Sequence, residues 1–277
     1  FTTIIETFGR RAFRRPVTTA EVDRLVRVAS EAFTAGEDAT GAVRHLVATM
    51  LASPAFLYRV ELDPTPGSGA RRKLDGWELA SRLSYFLWRT MPDDALFAAA
   101  EDVKLVTTEG LRSHTRRLLE GERARAFVDG FAGQWLKLRK LENHQVEPTV
   151  FKTWDEPLRA SMLAEGRAFF REYLDPQGRT MRDFFSAKVS FVDERLARHY
   201  GVAAPSGTGR LEGGVDRRVG FLGTAAFLTA TSFSYRTSPT LRGVTVVRDL
   251  LCEELPDPPM GVPPLDENAN AAAASQN

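Results

Sequence analysis

Three side chains of this sequence have the chemistry for a catalytic or binding role: a histidine at a predicted helix end, a glutamate and an arginine. His199 precedes Tyr200 and Gly201 at the end of a short predicted helix. Because imidazole titrates near neutral pH, His199 is a candidate general acid or base, or a ligand to a metal or haem supplied from outside. The alternative is a structural role, in which the ring donates to free carbonyls of the last helical turn. In either role we expect His199 to be at least half buried and hydrogen-bonded, with Tyr200 packed beneath the Gly201 turn.

Glu165 and Arg82 are the other catalytic candidates, and both lie among large apolar residues. A buried arginine needs a carboxylate partner, because an unpaired buried charge is costly. One interpretation is a buried ion pair that fixes helix packing, with Arg59 and Glu61 as further members of the set. The other interpretation is catalytic. Glu61 and Glu165 would suit hydrolysis of a polysaccharide if their carboxyl groups lay roughly 5–10 Å apart across a cleft.

Ser238 and Arg242 form a candidate anion-binding site. Ser238 precedes Pro239, which is typical of a helix N-cap followed by proline at the first helical position. Backbone N–H groups at a helix N-terminus could hold an anion together with Arg242, one turn along. Helix capping alone also explains the pattern. The surrounding sequence lacks G-x-S-x-G, so it does not predict a serine hydrolase.

Cys252 is the only cysteine, which excludes an internal disulfide and a metal site built from several cysteines. We expect it to be buried and inert, as free cysteines usually are. The alternative is a disulfide with a cysteine beyond residue 277. The histidines form no H-x-x-x-H pair, so the sequence predicts no metal site on a single helix, and a site assembled from distant residues is the open alternative. It also lacks the C-x-x-C-H motif, so this chain cannot attach a c-type haem covalently.

The charge balance gives no indication of a nucleic-acid partner. Lys and Arg total 37 and Asp and Glu total 36, which leaves a formal net charge of +1. The hydrophobic share of 43% is that of a globular protein with a real core. No apolar run approaches the length of about 18 residues that indicates a membrane-spanning helix.

Helical periodicity dominates the sequence and predicts a mostly α, multi-helix domain whose C-terminal part is less regular and rich in glycine and proline. Asp75 and Glu78 predict a capping box at the start of one helix. The apolar residues that then recur at helical spacing predict its buried face, and they are Leu79, Leu83, Phe86 and Leu87.

Changes in composition divide the chain into four predicted parts. A loop is predicted at 63–70 from its prolines and glycines, and a small hairpin in the glycine-rich stretch 207–223. The predicted parts are an N-terminal helical segment at 1–62, a central helical domain at 74–203, a Gly/Pro-rich C-terminal segment at 204–264 and a linker or disordered tail at 265–277.

An ordered set of sequence blocks resembles the domains of unknown function that accompany cytochrome c modules in planctomycete and myxobacterial proteins. The blocks are FGRRAFRRP at 8–16, LASPAFLYRVE at 51–61, LDGWELASRLSYFLW at 74–88, FVDERLARHYG at 191–201 and TSPTLRG at 237–243. The resemblance implies an exported, periplasmic protein and a c-type haem carried by a neighbouring region. It also implies a haem domain or a larger assembly as partner.

Three functions follow from these observations. The leading hypothesis is a helical module of an exported, cytochrome c-associated redox protein whose substrate is unknown. A structural or interaction subunit of a larger electron-transfer or envelope assembly is the alternative, because no compact catalytic constellation is written in the sequence. A polysaccharide-acting hydrolase is the weaker alternative.

Overall fold

Regular structure in this protein is almost entirely helical, which confirms the predicted mostly α, multi-helix fold. A computed structural model describes residues 1–61, 71–174, 179–205 and 209–256. The predicted loop at 63–70, the prolines after residue 256 and the predicted tail at 265–277 lie outside the described residues. No helix in the described parts of the chain is long and apolar enough to cross a membrane.

The N-terminal helices enclose a core of their own. Ile5, Leu25, Leu46 and Met50 are buried at its centre. Local chemistry sets where these helices begin: the Thr18 hydroxyl accepts the N–H of the third helical residue, whose side chain in turn accepts the Thr18 N–H. The four helices are α1 (Thr2–Phe13), α2 (Thr19–Thr34), α3 (Ala39–Ala52) and α4 (Pro54–Leu57).

The central helices begin at the predicted capping box, where Asp75 and Glu78 each accept the other's backbone N–H. Arg89, in the left-handed conformation at φ 57°, ends the first of them. The central helices are α5 (Gly76–Trp88), α6 (Asp94–Glu101), α7 (Thr108–Glu120), α8 (Arg125–Phe127), α9 (Gly133–Trp135), α10 (Leu138–Glu142), α11 (Glu156–Glu172), α12 (Met181–Ser186) and α13 (Glu194–Tyr200).

One helical run changes its geometry midway. Between α8 and α9, Val128–Ala132 is π-helical, so that residues 125–135 form a continuous helix with a wide turn at its centre. A π-helical turn rotates the side chains that follow it out of the usual α-helical register. Short 3₁₀ turns at Lys104–Val106 and Glu122–Ala124 connect the neighbouring helices.

The C-terminal part is less regular, and its strands pair differently from the prediction. Strand β1 (Val189–Phe191) pairs antiparallel with β2 (Arg210–Glu212), with Ser190 opposite Leu211. The glycine-rich stretch therefore contributes one strand to a sheet with β1, and the local hairpin predicted within 207–223 is wrong for its described residues. The remaining elements are a 3₁₀ turn at Phe221–Gly223, α14 (Ala225–Ala230), α15 (Pro239–Val244) and a π-helical turn at Thr245–Leu250.

A second, larger core joins the central and C-terminal elements. Phe169 and Phe184 from the central helices pack with Phe221 and Phe227, and all four are almost fully buried. A hydrogen bond also connects the two parts, because the backbone carbonyl of Asp249 accepts the Trp135 indole N–H at 3.0 Å. The central and C-terminal parts therefore share one hydrophobic core.

Candidate functional site

Glu165 lies in the middle of α11 with only 1% of its surface exposed. The Tyr200 hydroxyl is 2.8 Å from each of its carboxyl oxygens and donates to them. The Ala225 N–H, at the first turn of α14, donates to Oε2 at 3.0 Å. The carboxyl group thus links α11, α13 and the beginning of α14.

The electrostatic surroundings of this carboxyl group are mixed. Burial raises the pKa of Glu165 to about 7, while the donors Tyr200 and Ala225 and the charge of Arg218 favour the ionised form. Burial also raises the pKa of Tyr200, and the adjacent Glu165 adds to that rise. The Arg218 guanidinium lies 4.3 Å from the centroid of the Tyr200 ring and donates to the Gly223 carbonyl at 2.9 Å. Arg218 therefore covers the tyrosine without forming an ion pair with the glutamate.

These contacts correct one interpretation of Glu165. Its partners are a phenol and a helix N-terminus, whereas the sequence suggested a buried arginine–carboxylate pair. A carboxyl group so deeply buried cannot touch a substrate in this conformation. The geometry therefore supports a role in holding three helices together, in which the Glu165 carboxyl group and the Tyr200 hydroxyl share the Ala225 N–H, at 3.0 and 2.8 Å.

His199 lies in the last turn of α13, which Gly201 ends in the left-handed conformation at φ 70°. The predicted helix end is correct, but the residue is exposed and hydrogen-bonds to no described residue, so the predicted bond is wrong. Partial burial of the ring and the nearby Arg218 and Arg195 lower the pKa of His199. Tyr200, which was predicted only to pack beneath the turn, is instead the donor to Glu165. A catalytic role of His199 stays a prediction.

Arg82 forms a two-point ion pair with Glu61, with Nε 3.0 Å from Oε1 and Nη2 2.6 Å from Oε2. The predicted need for a carboxylate partner is met. However, 62% of the Arg82 side chain is exposed, so the expectation of a buried arginine is wrong. Arg82 is on the outward side of α5, and solvent screens the pair.

The Arg82–Glu61 pair lines a groove between the N-terminal segment and the central helices. This groove, called the inter-segment groove below, has a volume of about 1130 Å³. Its walls come from α1, α2, α4, α5 and the π-helical turn, and they carry six arginines and several aromatic rings. Phe86, predicted to lie in the core, is 58% exposed here. Sequence periodicity placed Phe86 on the helix face but could not show that the N-terminal segment leaves that part of the face open.

Glu61 lines the inter-segment groove and Glu165 does not. The two carboxyl groups required for glycoside hydrolysis are therefore not brought to the same cleft. The arrangement gives no support to the polysaccharide hydrolase.

Ser238 and Arg242 take the positions expected around a helix N-cap. The Ser238 hydroxyl accepts the Leu241 N–H at 3.2 Å, and Pro239 is the first helical residue. The Arg242 guanidinium donates to the hydroxyl of Thr237 at 3.1 Å. Helix capping is thus confirmed, and binding of an anion stays a prediction.

Cys252 is exposed, so the expectation of a buried, inert thiol is wrong. It follows the π-helical turn at Thr245–Leu250 and has φ 57°. Among the residues that the structure describes, no group of three or more His, Cys, Asp or Glu side chains is arranged to hold a metal ion.

Three family models match successive parts of the chain. The family described as PSD5, protein of unknown function (DUF1595), matches residues 1–61. PSD4, protein of unknown function (DUF1592), matches residues 74–202, and PSCyt3, protein of unknown function (DUF1588), matches residues 218–277. These are cytochrome c-associated domains of unknown function. No curated protein and no solved structure matches the chain.

Proposed function

We propose that this chain is the helical module of an exported, cytochrome c-associated redox protein. The observation that carries the proposal is the order of the three matches, which cover 1–61, 74–202 and 218–277 and end with a family whose name, PSCyt3, refers to a cytochrome. The module positions or shields a haem domain, or contacts the substrate of that domain.

The contacts between the three matched segments support a single module. Arg10 in α1 binds Glu101 in α6 at 2.9 Å, which fastens the N-terminal segment to the central helices. Lys137 binds Asp249 at 3.0 Å, which fastens the C-terminal segment to the same body. Both contacts lie outside the inter-segment groove, so the groove stays open while the segments stay joined.

In this proposal the haem belongs to another region or another chain. Covalent attachment of a c-type haem uses the two cysteines and the histidine of C-x-x-C-H, and Cys252 is the only cysteine here. Export, and a periplasmic location in particular, belong to the same proposal, because the sequence blocks of this chain resemble exported, cytochrome c-associated domains.

The test is to isolate the native protein, with whatever chains accompany it, and to record its absorption spectrum before and after reduction. A c-type haem spectrum that changes on reduction is the expected result. The isolated 277-residue chain is the control and is expected to show no haem absorption. A native preparation without haem and without any redox-dependent spectral change would refute the proposal.

A structural or interaction subunit is the second candidate function. One observation favours it: Leu57, Tyr58 and Val60 are exposed apolar side chains within four consecutive positions. Clustered exposed apolar residues are typical of protein contacts. Size-exclusion chromatography of the isolated chain tests it, because a stable, soluble monomer that purifies alone would contradict an obligate subunit.

A further inference from the structure

The inter-segment groove has more positive charge than its own carboxylates neutralise. Its lining contains six arginines and four acidic residues. Arg15 binds Glu21 at 2.8 Å and Arg82 binds Glu61 at 2.6 Å, so two of the arginines are paired within the lining. A third arginine, the buried Arg14, donates to the backbone carbonyls of Ala55 in α4 and of Tyr58 just after it. The other three are Arg24, Arg59 and Arg89.

These three arginines have no carboxylate within ion-pair distance in the described parts of the chain. Arg59 lies with its guanidinium 4.9 Å from the centroid of the Tyr85 ring, a stacking contact that leaves its N–H donors open. Arg89 ends α5, and its Cδ is 3.3 Å from the point where a Cβ on Gly130 would be. A larger residue at 130 would crowd Arg89, so the glycine lets this arginine lie close against the π-helical turn.

Two aromatic side chains of the same groove are exposed to solvent. Phe86 and Phe131 are 58% and 39% exposed, with ring centroids 6.3 Å apart and planes at 72°. Both rings pack on Phe127, at centroid distances of 5.2 and 5.1 Å, and are thereby held in place. Phe131 comes from the π-helical turn, a geometry that recurs at functional sites. The two rings form an apolar corner beside cationic groups.

We propose that the inter-segment groove binds an organic anion that joins a flat, apolar ring system to a carboxylate. The ring system packs into the corner made by Phe86 and Phe131. The carboxylate accepts N–H groups from Arg59 and Arg89, whose planar guanidinium groups match its two oxygens. A volume of about 1130 Å³ is far larger than an inorganic anion needs and is the size of a small-molecule site. This ligand site is independent of the haem association proposed above, and either can fail without the other.

Titration calorimetry with 2-naphthoate as the probe tests this site on the full 277-residue chain. We expect saturable binding of one molecule, and binding about tenfold weaker for the neutral 2-naphthamide, which loses the charge but keeps the ring system. Sulfate, which has charge but no ring system, should compete only weakly. Equal binding of naphthoate and naphthamide would overturn the proposal, as would the absence of saturable binding.

Variants of the exposed groove residues connect the binding to the structure. Arg59→Gln and Arg89→Gln should each weaken naphthoate binding about tenfold while leaving naphthamide binding unchanged, and Phe86→Ala should weaken both ligands. Arg44→Gln is the matched control, because Arg44 is an exposed arginine on α3 outside the groove. Melting temperatures show that each variant is folded. An Arg44→Gln effect as large as that of Arg59→Gln would overturn the proposal. So would binding of a polyanion such as polygalacturonate, dependent on Arg59 and Arg89, in the absence of naphthoate binding.

Discussion

Glu165→Gln should remove a large part of the pH dependence of this protein's stability. Burial raises the pKa of Glu165 from 4.5 to about 7 in the folded protein. A raised pKa in the folded state means that the contribution to stability is fully present below pH 4.5 and is lost as the pH rises through about 7. One pKa unit corresponds to about 1.36 kcal/mol, so this carboxyl group lowers the free energy of unfolding by about 3 kcal/mol over that range.

A glutamine at this position cannot ionise. Its carbonyl oxygen still accepts the Ala225 N–H, and its amide can donate to the Tyr200 oxygen, so the variant resembles the protonated glutamate. The free energy of unfolding of Glu165→Gln minus that of the parent protein should therefore be about 3 kcal/mol larger at pH 7.5 than at pH 4.5. Urea unfolding followed by far-ultraviolet dichroism at both pH values measures this difference.

Two further variants make the test specific. Glu31→Gln changes an exposed glutamate on α2 and should leave the pH dependence close to that of the parent protein. Tyr200→Phe removes the hydroxyl that donates to Glu165 and should cost about 1–3 kcal/mol, with the larger loss at pH 7.5, where the carboxylate is ionised. Parallel pH profiles for Glu165→Gln and the parent protein would refute the reasoning, because they would show that Glu165 has the same pKa folded and unfolded.

The remaining predictions concern the other residues singled out by sequence or structure. His199→Ala should change the free energy of unfolding by no more than about 0.5 kcal/mol, because the side chain is exposed and has no hydrogen bond to the described residues. Thermal melting measures this change, and a loss above about 1 kcal/mol would contradict the expectation. Arg82→Ala should cost no more than about 1 kcal/mol in urea unfolding, since its pair with Glu61 is screened by solvent, and a larger cost would mean that the pair is desolvated. Gly220→Ala should cost about 3 kcal/mol or prevent folding, because the residue has φ 58° and a Cβ would lie 2.2 Å from the Phe185 carbonyl oxygen. Thermal melting measures this cost. A melting temperature equal to that of the parent protein would show that this turn relaxes freely.

Local sequence determined where most helices begin and end. Asp75 and Glu78 close their capping box three residues apart, and the same arrangement at Thr18 begins α2. Asp193 begins α13 and Gly201 ends it. Each of these signals needs only residues within one helical turn, and the free N–H and C=O groups at a helix end select the same few side chains wherever the helix lies. The sequence therefore predicted the start of α5 and the end of α13 without any knowledge of their packing.

The sequence also determined which residue types stand near the candidate site, but it did not determine their partners. Glu165 was expected to meet an arginine, and it meets Tyr200 and Ala225, which are 35 and 60 positions away along the chain. A buried carboxylate requires donors, and burial follows from periodicity. Which donors arrive depends on how α11, α13 and α14 pack, and no local pattern records that.

Exposure was the property that only the tertiary structure decided. Phe86 has the spacing of a core residue, yet it faces the inter-segment groove because the N-terminal segment packs against α5 and α6 without covering it. Cys252 is exposed because, in the parts of the chain that the structure describes, no element packs over the end of the π-helical turn that precedes it. Helical period fixes which side of a helix a residue occupies, whereas the groove exists only where two segments with separate cores meet and leave part of a helix face uncovered.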